Sequence, residues 1–309
     1  MNNISIAIHG GAGTILKSSL TPSLEQSYRK ELQTALDAGF ELLHKGATAI
    51  DAVEESVSRL EDCSLFNAGK GSVFTSEGTH EMDASIMSGD TRQAGAVSAI
   101  TGIKNPIRLS RIVMEESEHV FLTGRGAEEF ARQHKCEFKS RDYFFDEFRH
   151  QQWLDVKGTD QFQLDHTNSK DEKFGTVGAV ALDQFGNLAA ATSTGGMTNK
   201  KFGRVGDSPM IGAGNYAYNK TCAVSCTGSG EFFIRGVVAY DVSCLMEYKG
   251  MSLADASHEV IQRRLKEIGG DGGLIAVDSK GNIVLEFNTE GMYRGQRNAQ
   301  GLNEVAIYS

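Results

Sequence analysis

Proline is scarce in this chain, with three residues in 309, too few for a proline-rich spacer or recognition tract. No apolar run approaches the ~20 residues of a membrane-spanning helix. The first residues, 1–8, have no basic region ahead of their short apolar run, so no signal peptide is expected and the protein is read as soluble and cytoplasmic. Cations are in deficit: 31 Lys and Arg against 40 Asp and Glu leave a formal charge of −9. Without a basic patch, nucleic acid is excluded as the main partner. Cysteine is sparse and odd in number, five in all, which points to reduced, mostly buried thiols instead of a disulfide frame. Cys222 and Cys226 have the spacing of half a metal site, but no Cys or His pair at ligand spacing follows them.

Glycine is what the chain has in excess, 35 residues without a collagen-like period. Many tight turns and close backbone approaches are therefore expected. With 40% hydrophobic residues, the chain can bury a core as one large domain or two modest ones. A strand over 4–8 leads into the glycine turn His9-Gly10-Gly11-Ala12-Gly13. A helix capped by Thr21 carries Leu24, Tyr28, Leu32, Leu36 and Phe40 at helical spacing, and one capped by Thr48 follows. Strands are expected over 85–87, 94–101 and 119–122, with helices over 108–118 and 124–134. Residues 136–173 read as polar and irregular, with loosely docked aromatics. After residue 230 the pattern gives one helix through Leu245 and a last one capped by Ser252.

The stretch 174–199 carries the strongest chemical signal. Val177-Gly178-Ala179-Val180-Ala181-Leu182 is too poor in polar groups for a surface strand, Asp183–Asn187 supplies turn chemistry, and 188–192 returns as a second strand, giving a buried hairpin. Just before it, 155–173 looks like an exposed, cleavable loop. A cut between Gly175 and Thr176 would put a hydroxyl and a free α-amine on one rigid residue. The amine titrates near ~7.7–8.0 and can serve as base for the weakly acidic hydroxyl. Residues 271–283 repeat the same hairpin rhythm, Asp-x-x-Gly-Asn turn included, but with Asp271 where the first has Thr176. A core hairpin therefore accounts for the glycines and the turn but not for the threonine.

Three other places bear on chemistry. The His9–Gly13 loop fails as a dinucleotide fingerprint, since Leu16 stands where a third glycine is needed. It fails also as an esterase oxyanion loop, because the chain has no Gly-x-Ser-x-Gly elbow; His9 is read as structural. Arg204 and Asp207 make either a surface salt bridge or, in a cleft, a clamp for the carboxylate and ammonium of a zwitterion. Thr227-Gly228-Ser229-Gly230-Glu231 joins a strand to a helix, a turn whose backbone N–H groups can meet an oxyanion.

With these pieces in view, the chain closely resembles the plant-type L-asparaginase/isoaspartyl aminopeptidase family of N-terminal nucleophile hydrolases. The motifs run in order over nearly the whole sequence: HGGAG from His9, LFNAGKGSVFT from Leu65, GTVGAVALD from Gly175, STGGMTNK from Ser193, GRVGDSP from Gly203, CTGSGE from Cys226 and FNTEGMYRG from Phe287. The resemblance implies an α+β fold, a four-layer αββα sandwich, made as a precursor that cuts itself at Gly175-Thr176. Residues 1–175, with a polar linker at about 155–175, would be the α subunit; residues 176–309 would be the β subunit, headed by the nucleophile. It implies further that Thr194 bonds the nucleophile, Thr227 and Gly228 stabilise the oxyanion, and Arg204 and Asp207 hold the substrate with Gly230 nearby and Asn67 lining the site. Backbone carbonyls of Leu60, Glu61, Cys63, Phe66, Ala68 and Lys70 resemble the family's structural sodium loop, although Ser64 stands where relatives often have proline. No cofactor is implied for catalysis. The activity implied is hydrolysis of L-asparagine and β-aspartyl dipeptides by a dimer of cleaved αβ units. Two alternatives stay open: a glycosylasparaginase-like amidase, disfavoured by Gly175 where that branch typically has aspartate, and an uncleaved paralogue that only binds aspartate-like ligands.

Overall fold

The computed structural model describes residues 3–159 and 175–309. Twelve strands among them form two sheets: β1 (Ser5–Gly13), β2 (Met82–Ser88), β3 (Ala94–Ile100), β4 (Phe121–Thr123), β5 (Val177–Leu182), β6 (Leu188–Thr194), β7 (Asn215–Ala217), β8 (Cys222–Gly228), β9 (Gly272–Asp278), β10 (Ile283–Phe287), β11 (Gly291–Asn298) and β12 (Asn303–Tyr308). The larger sheet has the order β12-β11-β1-β5-β6-β2-β3-β4 and the smaller β10-β9-β8-β7. Every pairing is antiparallel except β3 with β4.

The ten α-helical segments lie outside this pair of sheets. On the large sheet pack α1 (Pro22–His44), α2 (Ala49–Glu61), α3 (Pro106–Glu116) and α4 (Gly124–Gln133). Two further segments follow, α5 (Arg141–Phe144) and α6 (Glu147–Val156). On the small sheet lie α7 (Gly230–Gly236), α8 (Val238–Lys249) and α9 (Leu253–His258), the last passing through a π-helical stretch, Glu259–Arg264, into α10 (Leu265–Glu267). The layers run helix, sheet, sheet, helix, the expected αββα sandwich.

Period-2 alternation sorts the central strands between two cores. Ile6 and Ile8 of β1, with Ala179 and Ala181 of β5, face the α1–α3 layer and its Leu32, Leu36, Val53 and Val57. Ala7, Val180 and Ala190 turn the other way and meet Val224 and Ala276 of the small sheet. Both faces of β5 and β6 are therefore covered, which is why these strands carry no polar face. The β1 strand, from before residue 175, lies between β11 and β5 from after it. The segments on either side of Gly175-Thr176 are thus woven into one sheet, and a cut there leaves them joined by the full hydrogen-bond ladder.

The caps appear where expected. Thr21 Oγ1 accepts from Leu24 N–H at 3.2 Å, Thr48 and Asp51 form a reciprocal capping box, and Ser252 caps α9. Both hairpins form as read, and their turns are closed alike, by Asp183 Oδ1 accepting the N–H groups of Phe185 and Asn187 and Asp278 Oδ1 those of Lys280 and Asn282.

Four expectations need correction. The His9–Gly13 stretch is no turn: β1 runs through it with a bulge between His9 and Gly11, made possible because Gly10 lets the Phe66 ring lie where a side chain would stand. Residues 136–159 are not irregular, since α5 and α6 form there and bury Phe144 and Trp153 against the Phe74–His80 aromatic cluster. Asp155 and Val156 therefore end a helix instead of opening a loop, and the rest of the expected linker, 160–174, lies outside the described residues. The single helix expected after Gly230 is broken at Val237, whose φ of 47° lies in the left-handed region, into α7 and α8.

Candidate active site

Thr176 stands at the mouth of β5, 8% exposed, where the two sheets open onto a cavity. Asn67, Thr194, Arg204, Asp207 and Gly228, brought from four separate stretches of sequence, line this cavity with Gly175 and Thr176. Thr227 and Gly230 back it from behind. Thr227 is fully buried and its Oγ1 accepts the Ala12 N–H at 3.2 Å. A Cβ on Gly230 would stand 2.8 Å from Asp207 Oδ1 and 3.0 Å from Arg204 Nη2, so only glycine leaves those two groups their places.

The nucleophile candidate is held at both ends. His9 Nδ1 lies 3.0 Å from the Thr176 carbonyl oxygen and Nε2 lies 2.9 Å from Ser225 Oγ. A carbonyl only accepts, so Nδ1 carries the proton and Nε2 accepts from the serine. Burial lowers the His9 pKa to about 3, which keeps the ring neutral in this tautomer. Gly178 makes room for the pair, since a Cβ there would stand 2.0 Å from Ser225 Oγ. His9 is thus structural, as the sequence suggested, but its contact is with the backbone of Thr176 itself. At the other end, Thr176 Oγ1 is 3.3 Å from Ser208 Oγ.

Gly175 packs backbone to backbone on the bulge in β1. A Cβ on Gly11, whose φ is 115°, would stand 2.5 Å from Gly175 N, and one on Gly175 would stand 3.0 Å from Thr227 Oγ1. Gly11 of the HGGAG motif therefore serves the seat of the Gly175-Thr176 peptide, while Gly10 makes room for Phe66. Asn67 ties two further motifs together: its Nδ2 donates to the Gly196 carbonyl at 2.7 Å and its Oδ1 accepts from Val73 N–H at 3.1 Å. Thr194 Oγ1 accepts from Gly196 N–H at 3.0 Å.

One cationic and one acidic side chain, Arg204 and Asp207, line the cavity. Arg204 does not pair with Asp207 as the surface reading had it; its Nε and Nη2 form a bidentate pair with Glu231 at 2.8 and 2.9 Å. Burial pushes the Glu231 carboxyl up, but the guanidinium outweighs this and leaves it below its ordinary range. Asp207 is 3% exposed, and its Oδ2 has no partner among the described residues. Burial raises its pKa to about 7 in spite of the nearby Arg204 charge. Behind the Thr194–Asn199 loop, the buried Lys200 ammonium donates to the Glu81 carbonyl at 2.7 Å, and its pKa is lowered by that burial.

Glu231, Ser208 and Lys200 were given no role in the sequence reading. Each sits inside a quoted motif, but only folding shows which neighbour it meets. Asp271, the counterpart of Thr176 in the second hairpin, takes the Ser229 hydroxyl, so the two hairpins differ at this position because one ends on a cavity and the other on a turn.

The loop after α2 is wound tightly. A Cβ on Gly69 would lie 2.4 Å from the Glu61 carbonyl oxygen, and one on Gly71 would lie 2.0 Å from that of Phe66 and 2.6 Å from that of Ser64. The carbonyl oxygens of Glu61, Ser64 and Phe66 thus pack closely on these two glycines, and backbone carbonyls are donors that suit a monovalent cation. Lys70 sends its ammonium outward, 5.6 Å above the Tyr143 ring, so only its carbonyl is a candidate donor.

The chain is also similar to known proteins over its whole length. An isoaspartyl peptidase of Salmonella typhimurium is 50% identical over 311 aligned residues, covering 100% of this chain and 99% of its own. A probable isoaspartyl peptidase/L-asparaginase of Arabidopsis thaliana is 43% identical over the full length of both chains, and a plant-type L-asparaginase of Pyrococcus abyssi is 42% identical over 97% of this chain and 98% of its own. No helix among the described residues is long and apolar enough to cross a membrane. Because the family profile described as asparaginase matches residues 2–307, nearly end to end, the chain belongs to the asparaginase family.

Proposed function

We infer that the protein hydrolyses the side-chain amide of L-asparagine and the isopeptide bond of β-aspartyl dipeptides, after cutting itself between Gly175 and Thr176. The observation that carries this reading is that Asp207, buried with one oxygen unpartnered among the described residues, and the Arg204 guanidinium line the same cavity as Thr176. An α-amino acid presents an ammonium and a carboxylate side by side, and this pair offers the matching charges. Its side-chain carbonyl is then left to face the threonine.

Self-cleavage frees the Thr176 α-amine. That amine takes the Oγ1 proton as Oγ1 attacks the side-chain carbonyl carbon, and the oxyanion forms against Thr227 and Gly228. The C–N bond breaks, the amine returns the proton to the leaving nitrogen, and ammonia or an amino acid departs from a β-aspartyl ester. Water, deprotonated by the same amine, attacks the ester and restores Oγ1–H, releasing aspartate. Thr194 would hydrogen-bond Oγ1, and Asn67 would hold the loop that carries Thr194.

A sodium ion would be held by the carbonyls of Leu60, Glu61, Cys63, Phe66, Ala68 and Lys70, where it would brace the backbone leading to Asn67. The mature protein is read as a dimer of cleaved αβ units. The test is a denaturing gel with intact mass. Wild type should give chains of 175 and 134 residues, whereas Thr176→Ala should stay one chain of 33.4 kDa without activity. Cut wild type should hydrolyse β-Asp-Leu and leave α-Asp-Leu intact. A Thr176→Ala protein that still splits, or equal turnover of both dipeptides, would sink the reading.

A further inference from the structure

A chain of buried hydrogen bonds leaves Thr176 on one side and returns to it on the other. Thr176 Oγ1 meets Ser208 Oγ at 3.3 Å. The Ser208 carbonyl accepts from Ser85 Oγ at 2.6 Å, and the Ser85 carbonyl accepts from Asn215 Nδ2 at 3.1 Å. The same Nδ2 reaches Thr192 Oγ1 at 3.3 Å, which lies 2.7 Å from Ser225 Oγ. Ser225 donates to His9, and His9 donates to the Thr176 carbonyl. All of these residues are buried, and they come from β1, β2, β6, β7 and β8 together with the loop after Asp207. The ring stitches the two sheets together directly behind the nucleophile.

We propose that Ser208 is a positioning residue for the Thr176 nucleophile, its hydroxyl donating to Oγ1 while the ring that starts at its carbonyl fixes the Thr176 backbone. The role rests on the functional reading above. When the α-amine accepts the Oγ1 proton, Oγ1 keeps lone pairs for which Ser208 can be a donor beside Thr194. Among the described residues Ser208 Oγ has no partner other than Thr176 Oγ1, so its proton is claimed by nothing else. Ser208 also lines the cavity while itself 1% exposed, close enough to touch the reacting oxygen and too deep to be reached freely by water. A 3.3 Å contact is long for two hydroxyls at rest and shortens as the oxygen gains negative charge. Holding Oγ1 by a neighbour and the carbonyl by His9 leaves the residue one rotamer and one backbone setting, which is the preorganisation that attack requires.

The test uses the full chain with Ser208→Ala and Ser208→Cys, the second keeping the side-chain volume with only a weak donor. Cleavage is followed on a denaturing gel, and kcat and KM for L-asparagine are measured on the cut fraction. Both variants should cut more slowly than wild type and then lose about tenfold in kcat, with KM changed less than about twofold. Ser85→Ala, which frees the Ser208 carbonyl without touching the cavity, should lose less, again in kcat alone. A Ser208→Cys protein that cuts and turns over like wild type makes the residue a space filler and overturns the role. So does a Ser208→Ala loss that falls on KM alone. Wild type that neither cuts nor turns over L-asparagine overturns the functional reading as well, and is told apart by the wild-type lane itself.

Discussion

Acidification should loosen the grip on an α-ammonium without help from the chemistry. Asp207 is buried with one oxygen unpartnered, and burial lifts its pKa from 3.8 to about 7. It is a carboxylate above that pH and a neutral acid below it, and only the carboxylate can pair with an ammonium. L-Aspartate, the product of asparagine hydrolysis, keeps its ammonium and both carboxylates from pH 6 to pH 8. As the pH drops from 8 to 6 the ionised fraction of Asp207 falls from about nine tenths to about one tenth, so the inhibition constant for L-aspartate should rise about tenfold. The Thr176 α-amine gains a proton over much of the same range, but a new positive charge beside a β-carboxylate tightens binding and cannot produce the loss. The assay is competitive inhibition of β-Asp-Leu hydrolysis at several pH values, with Asp207→Asn giving weak inhibition that does not weaken further as the pH drops. A wild-type constant that stays level or falls as the pH drops from 8 to 6 refutes the assignment of Asp207 to the ammonium. The sign for stability runs the other way. A raised carboxyl stabilises the empty fold fully below about 3.8, and that contribution is lost as pH rises through about 7, where the unpaired charge appears.

Glu231→Gln keeps the shape that faces Arg204 but removes its counter-charge; KM for L-asparagine should rise about fivefold with kcat little changed, by steady-state kinetics. Gly11→Ala places a methyl where Gly175 N lies, at a φ of 115°, so the precursor should persist on a gel long after wild type is fully cut. His9→Leu takes the donor from the buried carbonyl of residue 176 and leaves the Ser225 hydroxyl with Thr192 alone. In a Thr176→Ala background, to keep one chain, urea unfolding should show a loss of about 1–3 kcal/mol.

Much of this protein is legible residue by residue, because its signals are local. The Thr21 and Thr48 caps need only the next turn of backbone, and the Asp183 and Asp278 turns need only four residues. The buried hairpin is announced by its lack of polar residues, and Thr176 stands out because the second hairpin has Asp271 in its place. Elsewhere local rules mislead. His9–Gly13 has the composition of a turn, yet it is strand, because flanking β11 and β5 supply a ladder that outweighs glycine's reluctance. Residues 136–159 lack periodicity, yet they form helices, because Phe74 and His80 lie waiting for Phe144 and Trp153.

By itself the sequence marked the two buried hairpins, the odd threonine at 176 and the neighbouring charges Arg204 and Asp207, since each is written in a contiguous run of residues, while the αββα layering reached it only through the family resemblance. Only the tertiary structure decided who pairs with whom. Arg204 turns to Glu231, 27 residues away, instead of Asp207, three away, because Asp207 faces inward behind Gly230 while Glu231 sits at the rim. Ser208 and His9 reach Thr176 across gaps of 32 and 167 residues. Contacts of that range depend on how two sheets stack and on where glycines let backbones touch, and no spacing along the chain records them.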